Sequence, residues 1–205
     1  MTLFPAFLKL QNRQVIIIGG GTLAECKLPA LLEAGARVQI ISPRLNPCLA
    51  DQVRARHLDW RPKLYEPGDL AGAFLVIAAT SIPEVNAAVF READVRNILC
   101  NAVDDVDNCH FYYGSVVRRG DLQIAISTNG KSPALAQRLR KELEQQFGPE
   151  YGDWLEWLGA TRQNLRRQSS ETEFTKHWLH LFASRPMFES FLNKAAAQNS
   201  KEGAY

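Results

Sequence analysis

Gly19, Gly21 and Ala24 stand at the spacing G-x-G-x-x-A, the pattern by which a backbone turn cradles the pyrophosphate of a dinucleotide. Each residue type has its own task. Gly19 allows the tight turn, Gly21 lets the backbone approach the pyrophosphate, and Ala24 permits close packing of helix on strand. The pyrophosphate would lie against free N–H groups around Thr22 and Leu23, where a helix opens. Such a pattern is weak by itself; here it directly follows an apolar strand and begins a helical stretch, which is the context it requires. About 20 residues further on, dinucleotide-binding units commonly carry an Asp or Glu for the ribose 2′-hydroxyl. This chain has Ser42, Pro43 and Arg44 there. Ser42 offers the ribose a hydrogen bond, and Arg44 offers a partner to a 2′-phosphate, so these residues leave NAD and NADP both open.

A turn of this kind needs a parallel sheet behind it. The first 110 residues alternate short apolar runs with helical patterns, as βαβ units do. Strands are predicted over 15–18, 37–41, 73–79 and 97–103, the first a continuous apolar run that reads as buried on both faces. Helices are predicted from the glycine turn to Gly35, with a kink at Pro29, and over 83–92. The rhythm then changes. Segments 112–117 and 122–127 flank Arg118-Arg119-Gly120-Asp121, the signature of an antiparallel hairpin. Ser132-Pro133 opens a helix running to 147, with Ser as cap and Pro at the first helical position, and Gly148-Pro149 ends it. From 151 onward the pattern is helical, with aromatic stripes Trp154/Trp157/Leu158 and Phe174/Trp178/Phe182 that belong in a core or a subunit interface. A polar stretch over 195–205 reads as frayed. The expected class is therefore α/β: a Rossmann-like domain over 1–111, a small α+β domain over 112–149 and a helical region over 150–205.

Composition narrows the function classes. Among 205 residues, 24 Lys and Arg face 22 Asp and Glu, leaving a net charge of +2. That balance gives no electrostatic reason to expect nucleic acid or a membrane surface as partner. No apolar run approaches the ~18 residues of a membrane span, and MTLFPAFLKL lacks a secretion signal's charged leader, so a cytoplasmic protein is expected. Cys26, Cys48, Cys100 and Cys109 form no C-x-x-C pair and read as buried or half-buried thiols rather than zinc ligands. Asp105, Asp107 and Asn108 lack the Gly and Glu of a calcium loop. His110 is a lone histidine, and His177 and His180 read as a helix surface. No resident metal site is predicted.

The runs GGGTLAECK at 19–27, AAT at 78–80, NAVDD at 101–105 and ISTNGKSPALA at 126–136, behind the leader FPAFLKL, together resemble the precorrin-2 dehydrogenase and sirohydrochlorin ferrochelatase family of sirohaem biosynthesis. The resemblance covers about residues 2–147; no methyltransferase region like that fused to some members is in the sequence. It implies NAD as oxidant, with Ser42 and the Pro43-Arg44 backbone at the ribose and Thr80 also in the cofactor site. It implies a homodimer formed through the hairpin and the following helix. It implies precorrin-2 as substrate and sirohydrochlorin as product, with ferrous iron insertion as a possible second activity.

The same resemblance assigns catalysis to the Asp of the N-x-V-D motif, here Asp104. A carboxylate at the end of a parallel strand stands where open α/β sheets bind ligands, and it could accept the proton released on dehydrogenation or shuttle pyrrole protons during metal insertion. The plainer alternative is an Asp closing a turn. The family's hydroxyl positions fall on Ser127 and Thr128. For a tetrapyrrole rich in carboxylates, Lys131, Arg118, Arg119 and Arg138 are candidate partners, against the alternative of an ordinary basic surface. Two rivals stand beside the main expectation: a dehydrogenase without chelatase activity, and a non-catalytic NAD-sensing module.

Overall fold

The computed structural model describes residues 2–168 and 172–202, and the chain divides into two compact units, Met1–Tyr113 and Gly114–Tyr205. The first is built on five parallel strands in the order β3-β2-β1-β4-β5: β1 (Gln14–Ile18), β2 (Arg37–Ile41), β3 (Asp59–Arg61), β4 (Leu75–Ala78) and β5 (Leu99–Ala102). Helices α1 (Thr22–Glu33), α2 (Pro47–Arg56) and α3 (Pro83–Val95) connect them. This is the Rossmann-like class expected.

Why Val15–Ile18 of β1 and Leu75–Ala78 of β4 are continuous apolar runs is visible in the core. Val15 and Ile17 of β1, with Val38 and Ile40 of β2, face Ala24, Leu28 and Leu31 of α1 and Leu49 and Val53 of α2. Ile16 and Ile18, with Ile41, Val76 and Ala78, face Leu70 and the α3 residues Val89 and Ala93. Alternate side chains thus enter opposite cores, and both faces are dry. The order of connection reverses between β1 and β4, so a crevice opens outside their carboxyl ends.

Sequence and structure differ in particulars. Strand β3 and helix α2 were not expected, α3 continues three residues past 92 to Val95, and β4 and β5 are shorter than their apolar runs. Pro29 does lie inside α1. Cys100 is buried and Cys109 half-buried, but Cys26 and Cys48 are exposed, because they sit on the solvent sides of α1 and α2.

In the second unit β6 (Ser115–Arg119) and β7 (Leu122–Ile126) form the antiparallel hairpin, with Arg119 opposite Leu122. Gly120 takes φ 56° at the turn, as a two-residue hairpin loop demands. Helix α4 (Pro133–Gln146) begins at Ser132, whose hydroxyl accepts the Leu135 N–H at 3.2 Å. Helices α5 (Glu150–Gln168), α6 (Thr172–Phe182) and α7 (Arg185–Glu202) follow. The aromatic stripes meet one another: Trp154 packs on Tyr151 and Phe188, and Trp157 on Phe182 and Phe191. Helix α7 runs to Glu202, through most of the stretch expected to fray; residues 203–205 lie outside the described ones. Among the described residues no helix is long and apolar enough to cross a membrane.

Candidate nucleotide cleft and its surroundings

A cleft of about 700 Å³ lies at the carboxyl ends of β1, β2 and β4. It is lined by the glycine turn Gly19–Gly21 with Thr22 and Leu23, by Ser42, Pro43 and Arg44, and by Thr80. Every residue expected at the cofactor therefore borders one cavity. Leu64, Tyr65 and Ile82 complete its rim and give it the apolar walls that ring systems lie against.

The three glycines do different work. A Cβ at Gly19 would overlap the Ala79 carbonyl, and Gly19 takes φ 125°, a conformation only glycine holds comfortably. One at Gly20 would overlap the Arg44 carbonyl oxygen. At Gly21 the backbone is extended (φ −95°, ψ −168°), and nothing lies within 4 Å of the Cβ position. That open space is what a pyrophosphate must fill. Helix α1 starts there without a side-chain cap, whereas α2 and α4 are capped by Asn46 and Ser132. Its first N–H groups are thus free for an anion, and the donor set fits a dinucleotide.

Side chains the sequence did not single out stiffen this cleft. Asn46 accepts the Leu49 N–H at 2.7 Å to cap α2, donates from Nδ2 to Glu25 at 2.7 Å, and gives its backbone N–H to Gly20 O at 2.8 Å. One residue ties α1, α2 and the glycine turn. Hydrogen bonds from the Cys48 thiol and then from Asn46 hold the Glu25 carboxyl below its usual range. Ser42 is buried and donates its hydroxyl to Arg44 O at 2.7 Å, while Trp60 Nε1 donates to Ser42 O at 3.0 Å. On the other wall Thr80 Oγ1 donates to Asn86 Oδ1 at 2.7 Å, and Asn86 Nδ2 returns a bond to Thr80 O at 3.1 Å. The Asn46-Pro47 pair was a legible helix start; the partners of Asn86 and Trp60 are not written in local sequence. Asn46→Ala should lower stability by about 1 kcal/mol through the lost cap of α2, with the Cys48 thiol left as a donor to Glu25. Thermal melts of parent and variant check this.

Asp104 does not line the cleft. It sits beyond β5 in a turn closed by Asp105 N–H to Ala102 O at 3.2 Å, with φ 62°, and is exposed. Asp and Asn tolerate that left-handed backbone better than most residues. Its neighbour is spent on the loop: Asp105 accepts from Asn108 Nδ2 at 2.6 Å and from the Asn108 N–H at 3.3 Å. His110 is likewise engaged. Its Nδ1 accepts the Cys100 N–H at 3.1 Å, Nε2 lies 3.1 Å from Asp94 Oδ1, and the ring packs on Phe90. Among the described residues no three of His, Cys, Asp and Glu are grouped to hold a metal ion.

Ser127, Thr128 and Lys131 lie in the second unit, on the loop before α4. Thr128 Oγ1 accepts the Ser132 N–H at 3.2 Å, Ser127 Oγ accepts the Asn129 N–H at 3.1 Å, and Lys131 N–H bonds Thr128 O at 3.0 Å. Arg119 corrects an expectation. Its Nε donates to Phe147 O at 2.7 Å and Nη2 to Glu144 O at 3.0 Å, so its charge serves the carboxyl end of α4 instead of a ligand. Arg138 pairs with Glu142 at 3.3 Å.

A fold and cleft of this kind define a dinucleotide-binding protein. Residues 6–115 match the family model described as "Putative NAD(P)-binding", and residues 119–146 match "Sirohaem biosynthesis protein central". The chain belongs to this NAD(P)-binding family, followed in order by the sirohaem-biosynthesis central segment, as its resemblance implied. It is 39% identical over 186 residues to Siroheme synthase 1 of Pectobacterium atrosepticum, covering 90% of this chain and 39% of the relative. It is 37% identical over 205 residues to Siroheme synthase 1 of Aeromonas salmonicida, covering 100% of this chain and 43% of the relative. The chain thus spans about two fifths of the length of these curated relatives. Among solved structures, "SirC, precorrin-2 dehydrogenase" superposes with a TM-score of 0.80 at 22% identity, over 98% of this chain and 100% of that one. At that identity the likeness concerns the fold.

Proposed function

We propose that this chain oxidises precorrin-2 to sirohydrochlorin, with NAD as the acceptor. The observation that carries this is the open space at Gly21 facing uncapped N–H groups of α1, in a chain whose relatives are named siroheme synthases. A bound nicotinamide supplies the hydride acceptor. The protein's own share is placement and proton transfer. Gly19, Gly21, Thr22 and Leu23 hold the pyrophosphate, the 42–44 loop meets the ribose, and Thr80 closes the opposite wall. Asp104 takes the proton that the substrate loses with its hydride. Ser127, Thr128 and Lys131 bind substrate on the loop before α4.

Ferrous iron enters the same proposal as a second substrate: its insertion displaces pyrrole protons, for which Asp104 is the acceptor. The protein works in the cytoplasm. Incubation with precorrin-2 and each nucleotide in turn, followed by sirohydrochlorin absorbance, tests the dehydrogenase. Turnover with NAD is expected. NAD binding without turnover means a sensing module, and failure of iron insertion into sirohydrochlorin means a dehydrogenase alone.

The working form is a homodimer joined through the hairpin and α4. Val116 on β6 and Leu135 on α4 are 39% and 40% exposed, and each strand of the two-stranded sheet has one edge without a partner among the described residues. Unpaired edges and exposed apolar residues favour a second copy, and two-fold dimers are the commonest symmetric assembly. Light scattering at micromolar concentration should give the dimer mass; a monomer throughout would contradict it.

A further inference from the structure

The charge where β2 ends has the opposite sign to the one a free ribose usually meets. Sites that take NAD commonly place a carboxylate at this strand end, where it accepts a hydrogen bond from the 2′-hydroxyl and repels a 2′-phosphate. Among the described residues no carboxylate lines this cleft, and Arg44 is the one charged side chain on its wall. Carboxylates on the flanking elements are engaged elsewhere. Glu25 of α1 accepts from Asn46 Nδ2 at 2.7 Å, and Asp59 of β3 accepts from Gln39 Nε2. Ser42, the other polar side chain at this strand end, is buried and gives its proton to Arg44 O.

Arg44 is held at its backbone and free at its tip. Its carbonyl takes the Ser42 hydroxyl at 2.7 Å and lies so close to Gly20 that a Cβ there would overlap it. The Asn46 N–H closes the same turn on Gly20 O at 2.8 Å. The side chain is exposed, and among the described residues nothing pairs with its guanidinium. An unpaired guanidinium on a fixed backbone, beside the turn that receives the pyrophosphate, is a prepared partner for a further phosphate. Its planar fork can donate two parallel N–H bonds to one such group.

We infer that the cleft takes the 2′-phosphorylated dinucleotide, NADP, as well as NAD, with the Arg44 guanidinium on the 2′-phosphate. This rests on the nucleotide-dependent oxidation proposed above and widens the acceptor it can use. The 2′-phosphate belongs to the adenosine ribose, remote from the nicotinamide, so the reaction and its balance are the same with either nucleotide.

Calorimetric titration of the parent with NAD and with NADP, at low and high salt, is the first measurement. NADP should bind at least as tightly as NAD and lose more affinity as salt rises, because its extra contact is between charges. Arg44→Ala should weaken NADP by about tenfold, the worth of one charge-assisted contact, and leave NAD close to the parent, which also checks the fold. Arg44→Lys should recover part of the loss, keeping the charge without the fork. Arg44→Glu should turn the preference towards NAD. KM for each nucleotide in precorrin-2 oxidation should follow the same order. Parent protein that binds NADP about tenfold or more weakly than NAD overturns the inference. So does Arg44→Ala with NADP affinity unchanged, or with both nucleotides weakened equally, which would mean that the side chain only shapes the loop. NADP binding that depends on Arg44, with no oxidation of precorrin-2 by either nucleotide, upholds the inference and removes the dehydrogenase function instead.

Discussion

Gly21→Val should abolish nucleotide binding and leave the protein folded. The backbone at Gly21 lies in the extended region open to any residue, and no atom approaches the place of its Cβ. A valine there meets solvent in the free protein and the pyrophosphate in the complex. The folded state loses only a favourable N-cap glycine, about 1 kcal/mol, whereas affinity for NAD should fall on the order of 10²-fold or more, because the backbone can no longer reach the phosphates. Gly20→Val makes the contrast. Its Cβ would overlap the Arg44 carbonyl, so this variant should lose stability as well as binding. Calorimetric titration with NAD, beside thermal melts, separates the two. Parent-like affinity in a folded Gly21→Val protein would remove the glycine turn from cofactor binding.

Asp104 carries the other large effect. As general base it should be worth roughly 10²- to 10⁴-fold in turnover, so Asp104→Ala should lose about that much while NAD affinity survives. The turn adds a refinement: with φ 62°, alanine introduces backbone strain that asparagine avoids. Asp104→Asn therefore isolates the carboxylate, and it should be as impaired as Asp104→Ala but melt close to the parent. Asp105→Ala should show the reverse. It leaves the Asn108 N–H and amide short of their acceptor, costs about 1–3 kcal/mol of local stability, and affects turnover less. Steady-state rates and melts of the three variants check this. An Asp104→Asn protein turning over at the parent rate would leave Asp104 a turn residue and nothing more.

The unequal legibility of these residues has a physical cause. Strands β1 and β2 announce themselves because both faces of a central parallel strand are buried, so Val15–Ile18 is apolar throughout and Val38–Ile41 is apolar except for Gln39. Edge strand β3 is only Asp59-Trp60-Arg61, all exposed, and nothing in three such residues distinguishes strand from loop. Helix α2 buries only Leu49 and Val53, so its apolar stripe is weak, and its start at Asn46-Pro47 lies close to the louder Ser42-Pro43-Arg44. The glycine turn is local and so could be read directly: Gly19 takes the positive φ of a tight turn, and the Cβ position of Gly21 is open. The clamps Asn46–Glu25, Thr80–Asn86 and Trp60–Ser42 join separate elements, and no spacing rule reports them. Arg119 shows the same limit from the other side: a basic residue near a hairpin turn looks like a ligand partner until the carbonyls of Glu144 and Phe147 arrive from the end of α4.

The most direct test of the proposed chemistry is its stoichiometry. Purified protein with NAD and precorrin-2 should yield NADH and sirohydrochlorin in equal amounts, since each substrate molecule gives up one hydride and one proton. NADH formation should disappear with Gly21→Val and fall steeply with Asp104→Asn. NAD bound at the cleft with no NADH formed, while precorrin-2 stays reduced, would contradict the account.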